Sequence, residues 1–339
     1  MASVLAAVPV QPQESIEQPQ LAGNGFRNPK TVFNPSIDSL SEEEIVQHLR
    51  HVDSSLKIYA PSSPQYDSLR AVYNQQITAR PQAICRPTTV AQVQAIVRAA
   101  TDMHVPLTVR SIGHAFFGQS CVDNAVMLDM REMDTLSISQ DQKTVQVGGG
   151  ALTRNVIGYL DTQGLVTASS TAGCIGWTGW ALGGGYGPLN SYTGFGVDNI
   201  LSAKVVTADG NVVEEDGSSD LLWGLRGAGG NLGVVVESTV RTYTLPAMLG
   251  GRIQYKQAET AKALLGLQRL VEHGVPEELC LQLELSSRNG MTVDLIAGWM
   301  GDLNDGQKWM DTVRDIAETE LDTVEQSMFS PLSLNTIAY

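Results

Sequence analysis

The residues Arg110-Ser111-Ile112-Gly113-His114-Ala115 combine small turn formers with one histidine, and they follow directly on an apolar run, Val105-Pro106-Leu107-Thr108-Val109. A loop of serine and glycine can lay its backbone N–H groups against a diphosphate, because little side chain stands in the way. His114 then sits beside whatever the diphosphate carries. From the loop alone, its imidazole caps the turn or donates to a phosphate oxygen. Two further glycine-rich turns follow. Gly183-Gly184-Gly185-Tyr186-Gly187 is one, and Gly227-Ala228-Gly229-Gly230-Asn231-Leu232-Gly233, opening into Val234-Val235-Val236-Glu237, is the other. Three such turns, each tied to an apolar strand, point to one extended cofactor held along its length.

The order of these motifs carries more information than any one of them. Arg110-Ser111-x-Gly113-His114 comes first, then Gly179-Trp180-Ala181-Leu182-Gly183-Gly184-Gly185-Tyr186-Gly187, then Val197-Asp198-Asn199, then the segment from Trp223 to Val235. In that order the chain resembles the FAD-linked oxidases of the berberine-bridge-enzyme and 6-hydroxynicotine-oxidase type, closely from Ser63 to Leu245 and more loosely to Tyr339. The resemblance implies FAD as cofactor and an α+β fold. That fold has a two-part FAD-binding domain of the vanillyl-alcohol-oxidase type over 38–245, and a partial substrate domain with an antiparallel sheet and helices over 246–339.

The same resemblance assigns roles by position. His114 matches the histidine that bonds covalently to the 8α-carbon of the flavin, which makes the cofactor permanent and a stronger oxidant. Some relatives add a second bond from a cysteine, whose place here falls on Ala172; Cys174 lies two residues on. In an extended segment that offset moves a sulfur by about 6–7 Å. A single covalent link is therefore expected, with Cys174 as a pocket-lining thiol. Gly173, Gly176 and Gly179 let backbone approach the flavin ring without Cβ atoms between. Trp177 and Trp180 either wall the ring or fill core, and Trp180 stands where some relatives place a histidine near the flavin pyrimidine. Asp198 and Asn199 match the turn leading into a strand of the FAD domain, as a cofactor contact or a plain turn. Val234 and Val235 would offer backbone groups to the cofactor.

The whole chain sets bounds on these assignments. With 339 residues, 42% of them hydrophobic, it can hold one large or two ordinary domains around a sizeable core. A formal charge of −14 argues against non-specific binding to nucleic acid or anionic membranes. No run reaches the length needed to span a bilayer. The apolar stretch from Ser3 to Val10 has no preceding Lys or Arg and reads as a tail, so a cytoplasmic location is expected, with secretion as the alternative. Cys85, Cys121, Cys174 and Cys280 show no metal-binding spacing, and Cys85 and Cys280 read as buried or half-buried thiols.

The elements that must position the loops follow from periodicity. Residues 1–37 are expected to form a poorly ordered extension. Ser41 and Glu44 form a capping box for a helix through His51, in which His48 and His51 lie on a solvated face. A strand at Ala83-Ile84-Cys85, a helix from Thr89 to Ala100 and the strand ending at Val109 make a β-α-β unit, without a GxGxxG after its first strand. Short strands follow at 126–130, 136–138, 144–148, 203–207 and 233–243, with a hairpin turn at 208–211; Glu214-Glu215-Asp216 reads as a solvated loop and His104 as a turn residue. Beyond Pro246, strands at 251–255, 280–285 and 291–297 alternate with helices at 258–273 and 305–317, giving a sheet with helices on one face.

No Ser-His-Asp order, paired-carboxylate motif or P-loop supports hydrolysis or phosphoryl transfer. The expected activity is two-electron oxidation of an alcohol, amine or activated C–H of a small organic molecule, with electrons passed to O₂. Two alternatives stand beside it: a flavin-binding cyclase or isomerase without net redox change, and a shortened, catalytically silent paralogue acting as a partner protein. The catalytic base is not identified; Tyr186, Tyr192 and Tyr255 are the tyrosines considered. Members of the family usually continue and return to the FAD domain, so self-association or a partner chain is expected to replace that segment.

Overall fold

Val126-Met127-Leu128-Asp129 is an unbroken apolar run ending on one carboxylate, and all four residues are buried. A strand covered on both faces has that composition. In the computed structural model, which describes residues 40–245, 247–287 and 290–327, this strand is central in a four-stranded sheet. It runs parallel to Ala83–Arg86 on one side and Leu107–Arg110 on the other, while Lys57–Tyr59 pairs antiparallel at the edge. The β-α-β unit expected from the sequence is therefore split, because Val126–Asp129 enters between its two strands. The expected extension at 1–37 lies outside the described residues.

Alternation assigns the two faces of this sheet. Ala83, Cys85, Val126 and Leu128 meet Ile45 and Leu49 of the helix Glu42–Val52, and Val93, Ile96 and Val97 of the helix Val90–Asp102. Ile84 and Met127 face the other way, onto Tyr66, Ala79 and Cys121. Ser41 caps the first helix in a complete capping box with Glu44, and His48 and His51 are exposed on it.

A second, antiparallel sheet has the order Leu136–Ile138, Thr144–Gly148, Val234–Arg241, Ile200–Val206 and Val212–Asp216. Val234 and Val236 of its middle strand join the first core, whereas Val235 and Val240 join a second with Val145, Val147, Trp177 and Leu222. One strand thus stitches two cores together. Glu214, Glu215 and Asp216 correct the sequence expectation, because they belong to the edge strand and not to a loop. Lys204 on the neighbouring strand pairs with Glu214 at 3.0 Å, and an outer strand tolerates such charges.

The third sheet is antiparallel, with Leu279–Ser286, Thr292–Met300, Met248–Tyr255 and Thr319–Asp322 in order and Glu325–Ser327 also beside Met248–Tyr255. The helices Thr260–His273 and Leu303–Arg314 cover one face through Ala263, Leu267, Met310 and Val313. Met248, Ile296 and Met300 turn the other way, onto Ile157, Val166 and Leu189. This is the expected mixture of helices and antiparallel sheet.

The loops of interest depend on a glycine triplet at the end of Thr144–Gly148. An added Cβ would lie 2.3 Å from the Met133 carbonyl oxygen at Gly148, 2.4 Å from that of Val235 at Gly149, and 1.9 Å from that of Met130 at Gly150. Three backbones meet there with no room for a side chain. Gly150→Ala is expected to cost about 1–3 kcal/mol by overpacking, read as a lowered urea midpoint. A variant as stable as the parent protein would show that the 130–133 segment yields freely.

Candidate functional site

The strand Leu107–Arg110 delivers the Ser111–Ala115 loop to the edge of a cavity of about 530 Å³. Arg110 is 4% exposed, and a buried cation requires acceptors. Its Nε and Nη2 donate to the Ile112 carbonyl at 3.4 and 3.3 Å, and its Nη1 donates to the Leu69 carbonyl. Burial, followed by the nearby Arg131 cation, lowers its pKa to about 10, so it stays charged at neutral pH. Gly113 turns over this guanidinium with φ +97°, and an added Cβ would come 2.9 Å from Arg110 Nε. Glycine is required there by both conformation and space.

Ser111 extends the anchoring to the second sheet. Its Oγ donates to the Gly149 carbonyl at 2.7 Å, and an added Cβ at Gly176 would stand 2.5 Å from the same Oγ. His114 is half-buried, its ring stacked on Tyr73 with centroids 4.6 Å apart and planes 17° from parallel. Burial, and then the Arg110 charge, hold the imidazole below its ordinary pKa of 6.5. The ring is therefore neutral at neutral pH, with a lone pair available on one nitrogen.

The structure brings Ser111, Ile112, Gly113, His114, Ala115, Gly176, Gly179 and Val235 together around this cavity. Other residues singled out from the sequence set the surrounding backbone. Arg110 stands behind the loop. Gly173 offers its carbonyl to the Arg154 N–H at 3.0 Å. Gly183 caps the helix Trp177–Leu182, and Gly184 and Gly185 continue the turn at φ +116° and +77°. Gly187 lies so close to Ser169 that an added Cβ would be 1.7 Å from its carbonyl oxygen. Tyr186 is exposed and its carbonyl accepts from Trp180 Nε1 at 2.9 Å. Asp198 accepts from the Phe195 N–H at 3.1 Å. Asn199 is fully buried, donating to the Thr193 and Phe195 carbonyls and accepting from the Tyr243 hydroxyl. Val234 belongs to the first core.

One expectation is corrected, and one open choice is decided residue by residue. Cys174 does not line the cavity, whereas Ala172 and Ile175 do. The segment is a turn, closed by the Ile175 N–H on the Ala172 carbonyl at 3.3 Å, so the extended-chain offset does not apply. The two tryptophans also divide: Trp177 is fully buried core donating to the Ala168 carbonyl, and Trp180 walls the cavity. Tyr255 is buried in the third sheet with its hydroxyl on the Val313 carbonyl, and burial raises its pKa, which removes it as a base.

Sequence reasoning missed Tyr73, Ser120, Met130, Gly149 and Thr178 on the cavity wall. The run Gly148-Gly149-Gly150 was the available signal for one of them. The others reach the site through tertiary contacts that leave no local pattern.

The description "FAD binding domain" matches residues 81–216. The chain is similar to the FAD-linked oxidoreductase aurO of Gibberella zeae, 45% identical over 316 residues, which are 91% of this chain and 62% of that protein. It is 28% identical over 277 residues to (R)-6-hydroxynicotine oxidase of Paenarthrobacter nicotinovorans, covering 79% of this chain and 60% of that one. Among solved structures, 6-hydroxy-D-nicotine oxidase from Arthrobacter nicotinovorans superposes with a TM-score of 0.76 at 27% identity, over 82% of this chain and 63% of that chain. The chain thus spans about three fifths of the length of these relatives.

FAD fits the residues present. Val109, Met130, Leu182 and Val235 give an apolar wall suited to a flat ring, and above Gly230 an added Cβ meets nothing within 4 Å. Ser120 also lines the cavity, 4% exposed, with a buried hydroxyl that has no partner among the described residues. Leaving such a group unsatisfied costs about 1–3 kcal/mol, which a ligand acceptor relieves. Ser120→Ala is expected to leave the cofactor-free protein at least as stable as the parent and to weaken FAD binding about tenfold. Equal FAD affinity in a fluorescence titration would show that the hydroxyl does not meet the cofactor.

Proposed function

We propose that this chain is a FAD-linked oxidoreductase sharing this FAD-binding domain, and that it is an oxidase of a small organic alcohol, amine or activated C–H, with FAD bound covalently through His114. The observation that carries this reading is the neutral, ring-stacked imidazole of His114, set by a glycine loop at the edge of an apolar cavity. The names of the relatives support the oxidation class. Bound there, FAD would supply two-electron oxidation of a substrate and reoxidation by O₂.

The chain's own groups divide the work. Val109, Met130 and Val235 exclude water from one side of the cavity, and Trp180 walls it beside Gly179. Small side chains at Ser111, Gly113 and Ala115 keep backbone amides accessible to a diphosphate. Arg110 fixes the loop and adds positive charge behind it. His114 would present a lone pair at one ring nitrogen toward the flavin 8α-carbon, and its other ring nitrogen holds an N–H proton.

Flavin is expected to stay on the chain through acid precipitation, and His114→Ala is expected to release it. Mass spectrometry that finds only the unmodified peptide around His114 in the parent protein overturns the covalent assignment. Cys174→Ala is expected to leave attachment unchanged, since Cys174 does not line the cavity. Attachment needs the neutral imidazole, so its rate is expected to be flat above pH 6.5 and to fall as pH drops through the depressed His114 pKa. Oxidase chemistry is tested by anaerobic mixing with candidate substrates: the flavin absorbance bleaches, then returns with hydrogen peroxide when O₂ is admitted.

A further inference from the structure

We propose that Tyr73 is a positioning residue for flavin attachment, holding the His114 ring in the orientation from which it bonds to the cofactor. The inference rests on the reading of His114 as the flavin anchor and adds a residue outside every sequence motif of the site. Tyr73 lies forty-one positions before His114. The fold nonetheless ties the two segments at three points. The Tyr73 N–H donates to the Gly113 carbonyl at 2.9 Å, and Asn74 Nδ2 donates to the Phe116 carbonyl at 2.9 Å. These bonds bracket His114 on both sides. Between them the phenol ring lies against the imidazole, 4.6 Å centroid to centroid and 17° from parallel.

The bracket itself is anchored. Leu69, four residues before Tyr73, accepts at its carbonyl from Arg110 Nη1 and from Arg131 Nη2. One guanidinium therefore holds both the His114 loop, at Ile112, and the segment leading to Tyr73. Hydrogen bonds to the backbone carbonyls of Gly113 and Phe116 fix where the His114 Cα sits but leave the side-chain torsions free. The stacked ring removes that freedom, because rotation of the imidazole out of plane would collide with the phenol face.

Orientation matters because attachment is a directed substitution at carbon. A C–N bond forms between the imidazole nitrogen and the 8α-carbon, and one C–H bond of that methyl breaks. The imidazole N–H proton and the methyl proton leave with two electrons, which pass by way of the flavin to O₂ and give hydrogen peroxide. A ring held in line with its target avoids the loss of rate that misplacement brings. Tyr73 also lies on the cavity wall, so both rings face the space the cofactor would take.

The test compares the parent protein with Tyr73→Phe, Tyr73→Ala and His114→Ala, each purified after expression under riboflavin limitation and then given FAD. Total bound FAD is read by absorbance and attached FAD by what survives acid precipitation. Compared at equal FAD occupancy, Tyr73→Ala is expected to attach its bound FAD about tenfold or more slowly than the parent. Tyr73→Phe, which keeps the ring face, is expected to restore the rate. Attachment at the parent rate in Tyr73→Ala, or equal slowness in the phenylalanine variant, overturns the proposal.

A second readout separates this inference from the covalent assignment. The His114 ring proton, identified among five histidines by its loss in His114→Ala, is expected to resonate upfield in the parent and in Tyr73→Phe, and to move downfield in Tyr73→Ala. If the parent never attaches flavin, the covalent assignment fails, and an upfield resonance unchanged in Tyr73→Ala overturns the positioning role as well.

Discussion

The buried guanidinium of Arg110 is the interaction on which the site depends. A cation removed from water must be surrounded by acceptors, and here these are backbone carbonyls of two separate segments, Leu69 and Ile112. Because a guanidinium is planar and its donors diverge, satisfying it fixes those carbonyls relative to each other. Arg131 adds a second donor to Leu69 while pairing with Asp129 at 2.6 Å, and Asp129 also meets Arg86 at 3.4 Å. The end of the first sheet is thus held by a network of guanidinium groups, and the His114 loop is the part of it that lines the cavity.

Backbone contact without side chains supplies the second constraint. Gly149, Gly176 and Ser111 meet where the first and second sheets adjoin, and the Ser111 hydroxyl reaches a carbonyl across that seam. The strand Val234–Arg241 crosses between two apolar cores and brings Val235 to the same cavity. The third sheet joins from the far side: Thr171 donates to Gln282 at 2.6 Å, next to Ala172 on the cavity wall. Ile296 and Met300 of that sheet share a cluster with Ile157 and Val166. A displacement of the sheet would therefore be felt one residue from the wall.

The sequence disclosed what local chemistry dictates. The His114 loop was legible because small residues, a following histidine and a preceding apolar strand all lie within ten positions. The helix at Glu42–Val52 was legible because its capping box is written in four residues. Other features have causes distant in the chain. Gly148, Gly149 and Gly150 are required by carbonyls of residues 130, 133 and 235, and of the three only Gly148 entered the sequence reading, as the end of a strand. Cys174 was read as a pocket-lining thiol, but the chain turns there and presents Ala172 and Ile175 to the cavity instead. The charged strand Val212–Asp216 looked like a loop because edge position, which makes its charges tolerable, is a property of the sheet. Tyr73 and Ser120 acquire meaning from a stacking distance and from burial, neither of which is local.

Charge shows how the two constraints serve a cofactor. A formal charge of −14 would repel a diphosphate at long range, yet interactions in saline solution fade over roughly 8 Å. Within that distance the field is set by a few groups. Arg131 and Arg86 are offset by Asp129 and Glu132, whereas Arg110 has carbonyls rather than a carboxylate as its hydrogen-bond acceptors. Its charge is therefore the less compensated one. Placed behind a loop of small residues, it favours an anion on the loop's amides and disfavours a proton on His114. The buried Arg110 cation thus bears on both parts of the loop, favouring an anion at its amides and adding to the burial that keeps the His114 imidazole neutral.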